Sequence, residues 1–209
     1  MALYFMMNKP QGFLSAKTDA WRPTVMSFFP PQIAALLHPV GRLDKDTEGL
    51  LLFTDDGMLD RHLLRPEHHV EKGYFFRAFG KITGEQFREM EQGVVLCGSN
   101  AVSKPARAEL VGYETVGDNI ALISESKRNH FLKNPGRPVT AGRLFLTEGR
   151  KHEVKLMVKA VGAHVFFLQR FSIGDLSLDP ALQPGQYRLL TQKELSDCLG
   201  YDAAVQGVK

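Results

Sequence analysis

From His38 to Gly57 the chain reads HPVGRLDKDTEGLLLFTDDG, and this stretch carries the strongest structural and chemical signal. Asp44, Asp46 and Glu48 place three carboxylates within five residues. They lie between a Pro/Gly turn and the apolar run 49–54, which predicts a fully buried strand. A short loop cannot bury so much negative charge without a partner or a function. The loop is therefore the first candidate for a functional site.

One alternative is a calcium-binding loop. Residues 44–55 place acidic side chains at positions 1, 3, 5 and 12 and a glycine at position 6, as an EF-hand does. However, Pro39 and Gly41 disfavour the helix that must run into such a loop. Position 12 is also Asp55 rather than the longer glutamate. Calcium binding is therefore not expected.

Two other interpretations of the loop stay open at this point. The spacing of Asp44 and Asp46 is reminiscent of phosphotransferases that form an aspartyl phosphate, although the segment before it is broken and polar. The other interpretation is a charged surface turn in which Arg42 pairs with Asp46 or Glu48, an ion pair that contributes little to stability.

The composition is that of an ordinary globular protein with a mild excess of positive charge. The 209 residues are 44% hydrophobic and 23% charged. A chain of this length forms one large domain or two small lobes and buries roughly 70% of its unfolded surface. A net charge of +3 and a pI near 8.8 are compatible with a polyanionic partner but do not require one.

The cysteine and hydropathy patterns favour the cytoplasm. Cys97 and Cys198 form no motif with each other or with histidine, as expected of reduced thiols. The N-terminus lacks an apolar core behind a basic start, and no apolar run approaches the roughly 20 residues that span a bilayer. His62, His68 and His69 lack ligand spacing, so no metal site is expected.

Helical and strand signals interleave along the chain. The patterns predict strands at 3–7, 49–54, 74–79, 106–113, 119–124, 142–147, 164–171 and 186–190. They predict helices at 24–29, 32–37, 57–64 behind the N-cap Asp56, 83–93 with a Thr83/Gln86 capping box, 150–161, and beyond Thr191 with Glu194 at N3. Runs of strands with helices between them favour an α+β fold with a mixed sheet. Since no repeat or linker is evident, residues 1–209 are expected to form a single domain, with two lobes as a variant.

Several further segments extend the pattern of the 38–57 stretch. They are NKPQG at 8–12, EKGY at 71–74, KPA at 104–106, EGRKHEVK at 148–155, IGDLSL at 173–178 and LQPGQYR at 182–188. In order and spacing, these segments and GRLD at 41–44 resemble the RsuA-type pseudouridine synthases, which isomerise uridine in ribosomal RNA. The resemblance covers about residues 3–197 and leans towards the small-subunit branch of that family.

The resemblance implies a fold, a reaction and catalytic residues. The fold would be α+β, with a mainly antiparallel sheet flanked by helices around a central catalytic cleft. The reaction breaks an N–C glycosidic bond and makes a C–C bond, without redox change or cofactor, and needs a carboxylate at the sugar. The resemblance assigns that role to Asp44, through an aspartate adduct or a glycal intermediate. Lys155 would keep Asp44 ionised, and Tyr74 would stack on the extruded uracil unless it is only a half-buried core tyrosine.

The expected partner is RNA, above all ribosomal RNA or a ribosomal assembly intermediate, bound by a monomer. The candidate RNA-binding cations are Arg42, Lys72, Arg150, Lys151, Lys127 and Arg128. The last two belong to the segment 127–137, which also holds the exposed-looking aromatic Phe131. A solvated helix face or loop is the alternative for Lys151 and for this segment.

Two departures from the family pattern bear on the substrate. The chain opens directly on the segment that resembles the catalytic portion, so no N-terminal S4-type RNA-binding domain is expected. Leu156 stands where the family tends to have a second basic residue, and Glu153 stands where the family tends to have glutamine. On the predicted helix, Leu156 is expected to point away from an apolar stripe at 154, 157, 158 and 161. A catalytically silent RNA-binding or ribosome-assembly protein with the same fold remains the alternative function.

Overall fold

The structure, a computed structural model, describes residues 2–98 and 100–202, and these form an α+β fold as predicted. The strands are β1 (Tyr4–Lys9), β2 (His38–Val40), β3 (Glu48–Thr54), β4 (Lys72–Phe79), β5 (Arg107–Thr115), β6 (Pro138–Leu146), β7 (His164–Ile173), β8 (Leu176–Ser177) and β9 (Tyr187–Leu189). The α-helices are α1 (Pro31–Leu36), α2 (Gly57–Leu64), α3 (Gly84–Gln92), α4 (Glu125–Phe131) and α5 (Glu153–Ala160). No helix in these described ranges is long and apolar enough to cross a bilayer.

The first of two compact units comprises residues 2–72 and 169–202. Its strands follow the order β7-β3-β1-β9, with β2 also paired to β3. Strands β1 and β3 run antiparallel, in a register from Tyr4 opposite Thr54 to Lys9 opposite Gly49. Strand β3 is buried from its second residue onward, because its run of leucines contributes to the core on both faces of the sheet. This register brings the end of β1 beside the start of β3, where the acidic loop ends.

The second unit comprises residues 73–168 and has the strand order β5-β6-β4-β7. Strands β5 and β6 form a long antiparallel pair with a register shift between Leu110 and Gly112. Helix α3 begins with the predicted capping box of Thr83 and Gln86 and ends at Gly93, which has a positive φ. The strand pairs with a described register are antiparallel except β3 with β7, so the mainly antiparallel sheet is confirmed.

One predicted strand is wrong. Residues 119–124 do not extend; a 3₁₀ helix covers Gly117–Leu122 and α4 follows. Polar side chains turn the chain here. The Asp118 carboxylate accepts a hydrogen bond from the Thr115 N–H (2.8 Å), and the Asn119 amide donates to the Thr115 carbonyl (3.0 Å) and to Glu114 (2.7 Å). Such local side-chain bonds compete with strand pairing.

Three predicted helices also differ from the prediction. Residues 24–29 form only a 3₁₀ helix at Val25–Phe28. Helix α5 begins at Glu153 rather than near residue 150, after His152 in a left-handed conformation (φ 60°). The last predicted helix is a short π-helical turn at Glu194–Cys198. Its predicted cap is present, because the Thr191 N–H donates to the Glu194 carboxylate (2.8 Å) and the Glu194 N–H donates to the Thr191 hydroxyl (3.2 Å).

Candidate active site

Asp44 lies half-buried in the loop between β2 and β3 of the first unit. The loop turns back on itself, because the Thr47 N–H donates to the Asp44 carbonyl (3.1 Å). The Gly12 N–H donates to the Lys45 carbonyl (2.8 Å) and ties the loop to the segment that follows β1. The loop is preceded by a strand and not by a helix, so the EF-hand alternative is excluded.

The side chain of Lys9 binds the backbone carbonyls of this loop. It is fully buried, and its ammonium lies 2.8 Å from the Thr47 carbonyl oxygen, 3.1 Å from that of Asp44 and 3.4 Å from that of Lys45. A buried ammonium is tolerated only where such acceptors replace water. Lys9 therefore fixes the backbone of the residue that carries the candidate nucleophile.

Ser15 holds the same loop at Leu43. Its hydroxyl accepts a hydrogen bond from the Leu43 N–H (3.1 Å) and donates to the Leu43 carbonyl (2.9 Å). Both residues are buried. Since Leu43 directly precedes Asp44, these two bonds restrict the backbone on which the carboxylate is mounted.

Gly49 allows a close approach of two strands directly after the loop. It has a φ of +101°, and a Cβ built there would lie 2.2 Å from the carbonyl oxygen of Arg170 on β7. The Arg170 guanidinium is buried and donates from Nε to the Leu50 carbonyl (2.8 Å). No larger residue fits at position 49 without moving β7.

The two candidate RNA-binding cations of the first unit differ in exposure. Arg42 is exposed and has neither a hydrogen bond nor an ion pair with residues 2–98 and 100–202, so the predicted surface pair with Asp46 or Glu48 is absent there. Lys72 is buried, and its ammonium donates to the Val70 carbonyl (2.8 Å). The exposed phosphate contact expected of Lys72 does not fit this burial.

In the second unit, Tyr74 lies half-buried on β4 and packs against the core cluster that includes Phe76 and Val158. The interpretation of Tyr74 as a core-edge tyrosine therefore describes its packing. A half-exposed ring can also stack on a base, so this packing leaves the predicted role open.

Lys155 lies on α5, half-buried, in the second unit. The predicted apolar stripe of this helix is confirmed, since Val154, Met157, Val158 and the following Val161 are all buried in the same core cluster. Helix α5 thus rests on the core through one face, which limits where Lys155 can lie.

Leu156 corrects one expectation about α5. It does not point away from the apolar stripe but packs against the same core cluster. The apolar side chain at this position therefore contributes to folding. Lys151, by contrast, is exposed just before the helix.

Glu148 and Glu153 form a carboxyl pair at the start of α5. Burial raises the pKa of Glu153 to about 8, and the hydrogen bond and negative charge of Glu148 act in the same direction. The Glu153 side chain accepts the Arg150 N–H through Oε2 (3.0 Å), whereas its buried Oε1 has no partner among the described donors. A pKa raised to about 8 favours the protonated form of Glu153 at neutral pH, in which its hydroxyl can donate to Glu148 as a glutamine amide would.

Arg150 completes this arrangement. Its Nε donates to Oε2 of Glu148 (2.8 Å), and the side chain remains 39% exposed. Arg150 therefore pairs with Glu148 near the start of α5 and still presents part of its side chain to solvent, where a phosphate could contact it.

The segment 127–137 differs from its prediction. Lys127 is exposed on α4, but the Arg128 guanidinium donates to the backbone carbonyls of Ile123 (2.9 Å) and Ala121 (3.1 Å). Phe131 is not exposed; its ring stacks on Phe79 at 4.3 Å. The aromatic of this segment belongs to the core of the second unit, which removes the stacking role expected of it.

Sequence reasoning missed Lys9, Ser15 and the Glu148–Glu153 pair as determinants of the site. Lysine and serine are usually exposed, so their burial could not be predicted from residue type. The one sequence signal for the burial of Lys9 is its position in NKPQG, before a proline and at the end of a predicted buried strand. Across the described ranges, no group of three or more His, Cys, Asp and Glu side chains could hold a metal ion.

Comparison with known proteins identifies the family. Residues 3–160 match the family described as RNA pseudouridylate synthase. The uncharacterized RNA pseudouridine synthase YtzG of Bacillus subtilis is 41% identical over 92% of this chain and 72% of its own length. Ribosomal small subunit pseudouridine synthase A of Escherichia coli is 37% identical over the same shares of the two chains.

A solved structure gives the same result for the fold. The crystal structure of a pseudouridylate synthase superposes with a TM-score of 0.77 at 35% identity, covering 95% of this chain and 74% of the other. The aspartyl-phosphate phosphotransferase alternative is therefore wrong. The chain belongs to the RNA pseudouridylate synthase family, whose members convert uridine in RNA into pseudouridine.

Proposed function

We propose that this chain isomerises a specific uridine of ribosomal RNA, with the small-subunit RNA favoured as substrate. The name of the 37% identical Escherichia coli relative supports the choice of RNA. The observation that carries the proposal is the support of the Asp44 backbone by the buried Lys9 and Ser15. Two buried polar side chains are committed to one carboxylate-bearing loop, as a preorganised catalytic group requires.

The reaction places simple demands on the protein. The bond between N1 of uracil and C1′ of the ribose breaks, the base turns, and C5 bonds to C1′. The proton lost from C5 is balanced by one gained at N1, so the step needs no oxidant and no cofactor. Asp44 would act at the sugar, either as the nucleophile that forms an aspartate adduct or as the carboxylate that assists formation of a glycal intermediate.

Tyr74 and Lys155 are proposed as the other catalytic residues, on the sequence resemblance. Tyr74 would stack on the extruded uracil with its half-exposed ring. Lys155 would supply positive charge that favours the ionised form of Asp44. Arg42, Arg150, Lys151 and Lys127 are proposed as phosphate contacts, and each presents an exposed side chain.

We further propose that the protein acts as a monomer in the cytoplasm. The expected contacts are with ribosomal RNA or an assembly intermediate of the ribosome. Size-exclusion chromatography with light scattering, with and without RNA, measures the oligomeric state. A stable dimer at working concentration would contradict this part of the proposal.

Asp44→Asn tests the central claim. The substitution keeps the size of the side chain but removes the charge, so pseudouridine formation should fall at least ~10³-fold. An unmodified transcript of small-subunit ribosomal RNA is incubated with each protein, and pseudouridine is mapped by carbodiimide modification and primer extension. Asp55→Asn, at an exposed carboxylate that accepts the Leu3 N–H, is the control and should retain full activity.

The same mapping applied to RNA from cells with and without the protein identifies the modified nucleotide. Retained turnover by Asp44→Asn would overturn the proposed mechanism. An unchanged pseudouridine pattern together with tight RNA binding would favour the silent RNA-binding alternative. Isomerisation should also survive a chelator, provided that the RNA stays folded without magnesium.

A further inference from the structure

Trp21 lies on the surface of the first unit, in the segment between β1 and α1, and 93% of it is exposed. It is the chain's single tryptophan. Tryptophan is usually among the more buried residue types, because its indole gains much from leaving water. A fully presented indole therefore gains nothing from the fold and is available to a partner.

We propose that Trp21 is a base-stacking contact for an unpaired nucleotide of the RNA substrate. This inference rests on the proposed function and deepens it, because it names a recognition residue that belongs to none of the motif segments at 8–12, 38–57, 71–74, 104–106, 148–155, 173–178 and 182–188. The partner chemistry is a nucleobase whose ring face is exposed, held on a negatively charged backbone.

The segment that carries Trp21 is locally fixed. Asp19 Oδ1 accepts the N–H groups of Trp21 (3.0 Å) and Arg22 (2.9 Å), and its Oδ2 lies 3.1 Å from Nη2 of Arg22. The Leu14 N–H donates to the Pro23 carbonyl (3.0 Å), which closes the base of the turn. A preorganised turn loses little conformational entropy when its aromatic residue binds a ligand.

The same segment is tied to the candidate catalytic loop. Ser15, six residues before Trp21, makes its two hydrogen bonds with the backbone of Leu43, next to Asp44. Both segments belong to the first unit. Ser15 and Leu43 therefore hold the Trp21 segment and the Asp44 loop together.

The surroundings of Trp21 favour nucleic acid over protein. Lys17 and Arg22, close to Trp21 in the sequence, are exposed cations, and Thr18 is exposed and polar. Lys17 donates to the Ala35 carbonyl (2.8 Å), and Arg22 pairs with Asp19 (3.1 Å), which offsets one of the two charges. An exposed aromatic ring near exposed lysine and arginine side chains matches the way single-stranded nucleic acid is bound, by stacking and phosphate contacts together. A protein partner would instead require a contiguous apolar patch around the ring.

The emission of Trp21 provides a direct test, because the chain has no other tryptophan. The probes are an unmodified small-subunit ribosomal RNA transcript, single-stranded oligouridine and a fully paired RNA duplex. The full-length Asp44→Asn protein is titrated with each probe, so that turnover does not change the RNA. We expect quenching by the transcript and by oligouridine, and little by the duplex, whose bases are already stacked.

Substitutions separate stacking from general RNA affinity. Trp21→Ala should weaken binding of the transcript by about tenfold, whereas Trp21→Phe should keep most of the affinity. The salt dependence should keep its slope, because no phosphate contact is lost. Leu189→Ala removes another exposed apolar side chain of the same unit, and it should bind RNA like the unsubstituted protein.

Each contrary result overturns the inference. Three of these results concern RNA: binding with unchanged Trp21 emission, full affinity in Trp21→Ala, and binding of none of the three RNAs. The fourth is a change of Trp21 emission with protein concentration in the absence of RNA, which would indicate self-association. If the wild-type protein makes pseudouridine while its Trp21 emission stays constant, this inference fails and the proposed function stands. Quenching by RNA without any pseudouridine product would instead remove the proposed function and leave Trp21 as an RNA contact.

Discussion

The buried ammonium of Lys9 lies 3.1 Å from the backbone carbonyl oxygen of Asp44, so a charge at the end of β1 stabilises the main chain of the candidate nucleophile. The contact depends on strand register, because Lys9 lies opposite Gly49 in the β1–β3 pair. The shape of the loop and the packing of the sheet are therefore coupled.

Lys9→Met is expected to lower both stability and activity. The methionine fills a similar volume but removes the ammonium that donates to the carbonyls of Thr47 and Asp44, at a cost of about 1–3 kcal/mol in the free energy of unfolding. Urea unfolding and a single-turnover pseudouridine assay measure the two effects. Lys17→Met, whose ammonium donates to the Ala35 carbonyl at an exposed position, is the control and should change stability little.

Ser15→Ala should reduce activity by more than its loss of stability accounts for. It removes both hydrogen bonds to Leu43 and leaves a buried N–H and carbonyl unsatisfied, which costs about 1–2 kcal/mol. The freed backbone lets Asp44 sample other positions, so kcat should fall at a temperature where the protein is fully folded. Ser27→Ala removes a hydrogen bond to the Thr24 carbonyl at an exposed position and should leave kcat unchanged.

The loop of Asp44 was predictable from sequence, whereas its supports were not. GRLD and the apolar strand after it form a local pattern, which single-sequence reasoning can detect. The role of Lys9 follows from a register between two strands that are about 40 residues apart in the chain, and no local window contains that information.

The segment 119–131 illustrates the opposite failure. Ile120 and Leu122 suggested a strand, but the side chains of Asp118 and Asn119 bond the local backbone and start a helical turn. The segment 127–137 was expected to present Phe131 as an exposed aromatic among cations, yet its ring stacks on Phe79 in the core of the second unit. Burial of a single aromatic depends on tertiary packing, which residue type alone does not determine.

Glu153→Gln should increase stability relative to the parent as pH rises. In the folded state the pKa of Glu153 is raised to about 8 by burial and by Glu148, above its ordinary value of 4.5. The folded protein therefore binds the extra proton between these values, and stability falls as pH rises through that window. Glutamine makes the same donor bond at every pH, so at pH 9 it should gain several kcal/mol on the parent, at roughly 1.4 kcal/mol per unit of pKa shift.

Thermal or urea unfolding of both proteins between pH 5 and 9 measures this effect. Glu89→Gln, at an exposed glutamate of the same unit, should leave the pH dependence of stability unchanged. Identical pH profiles for Glu153→Gln and the parent would show that Glu153 is ionised in the folded state. Glu153 begins the helix that carries Lys155, so ionisation of Glu153 should disturb the position of that candidate catalytic lysine. As pH rises above 8, the parent should therefore lose activity before Glu153→Gln does.

Asp56→Ala should destabilise the first unit by about 2–4 kcal/mol, because one carboxylate serves three donors. It caps α2 by accepting the Met58 N–H (2.9 Å), and it accepts the hydroxyls of Tyr4 and Tyr201. Although burial opposes it, these bonds lower the pKa of Asp56, so their stabilisation is present at neutral pH and is lost as pH falls below about 4. Urea unfolding at pH 7 and at pH 3.5 measures how much stability each protein loses in acid. Asp56→Ala should lose less than the parent or the control Asp55→Ala. Equal losses in all three proteins would contradict this role of Asp56.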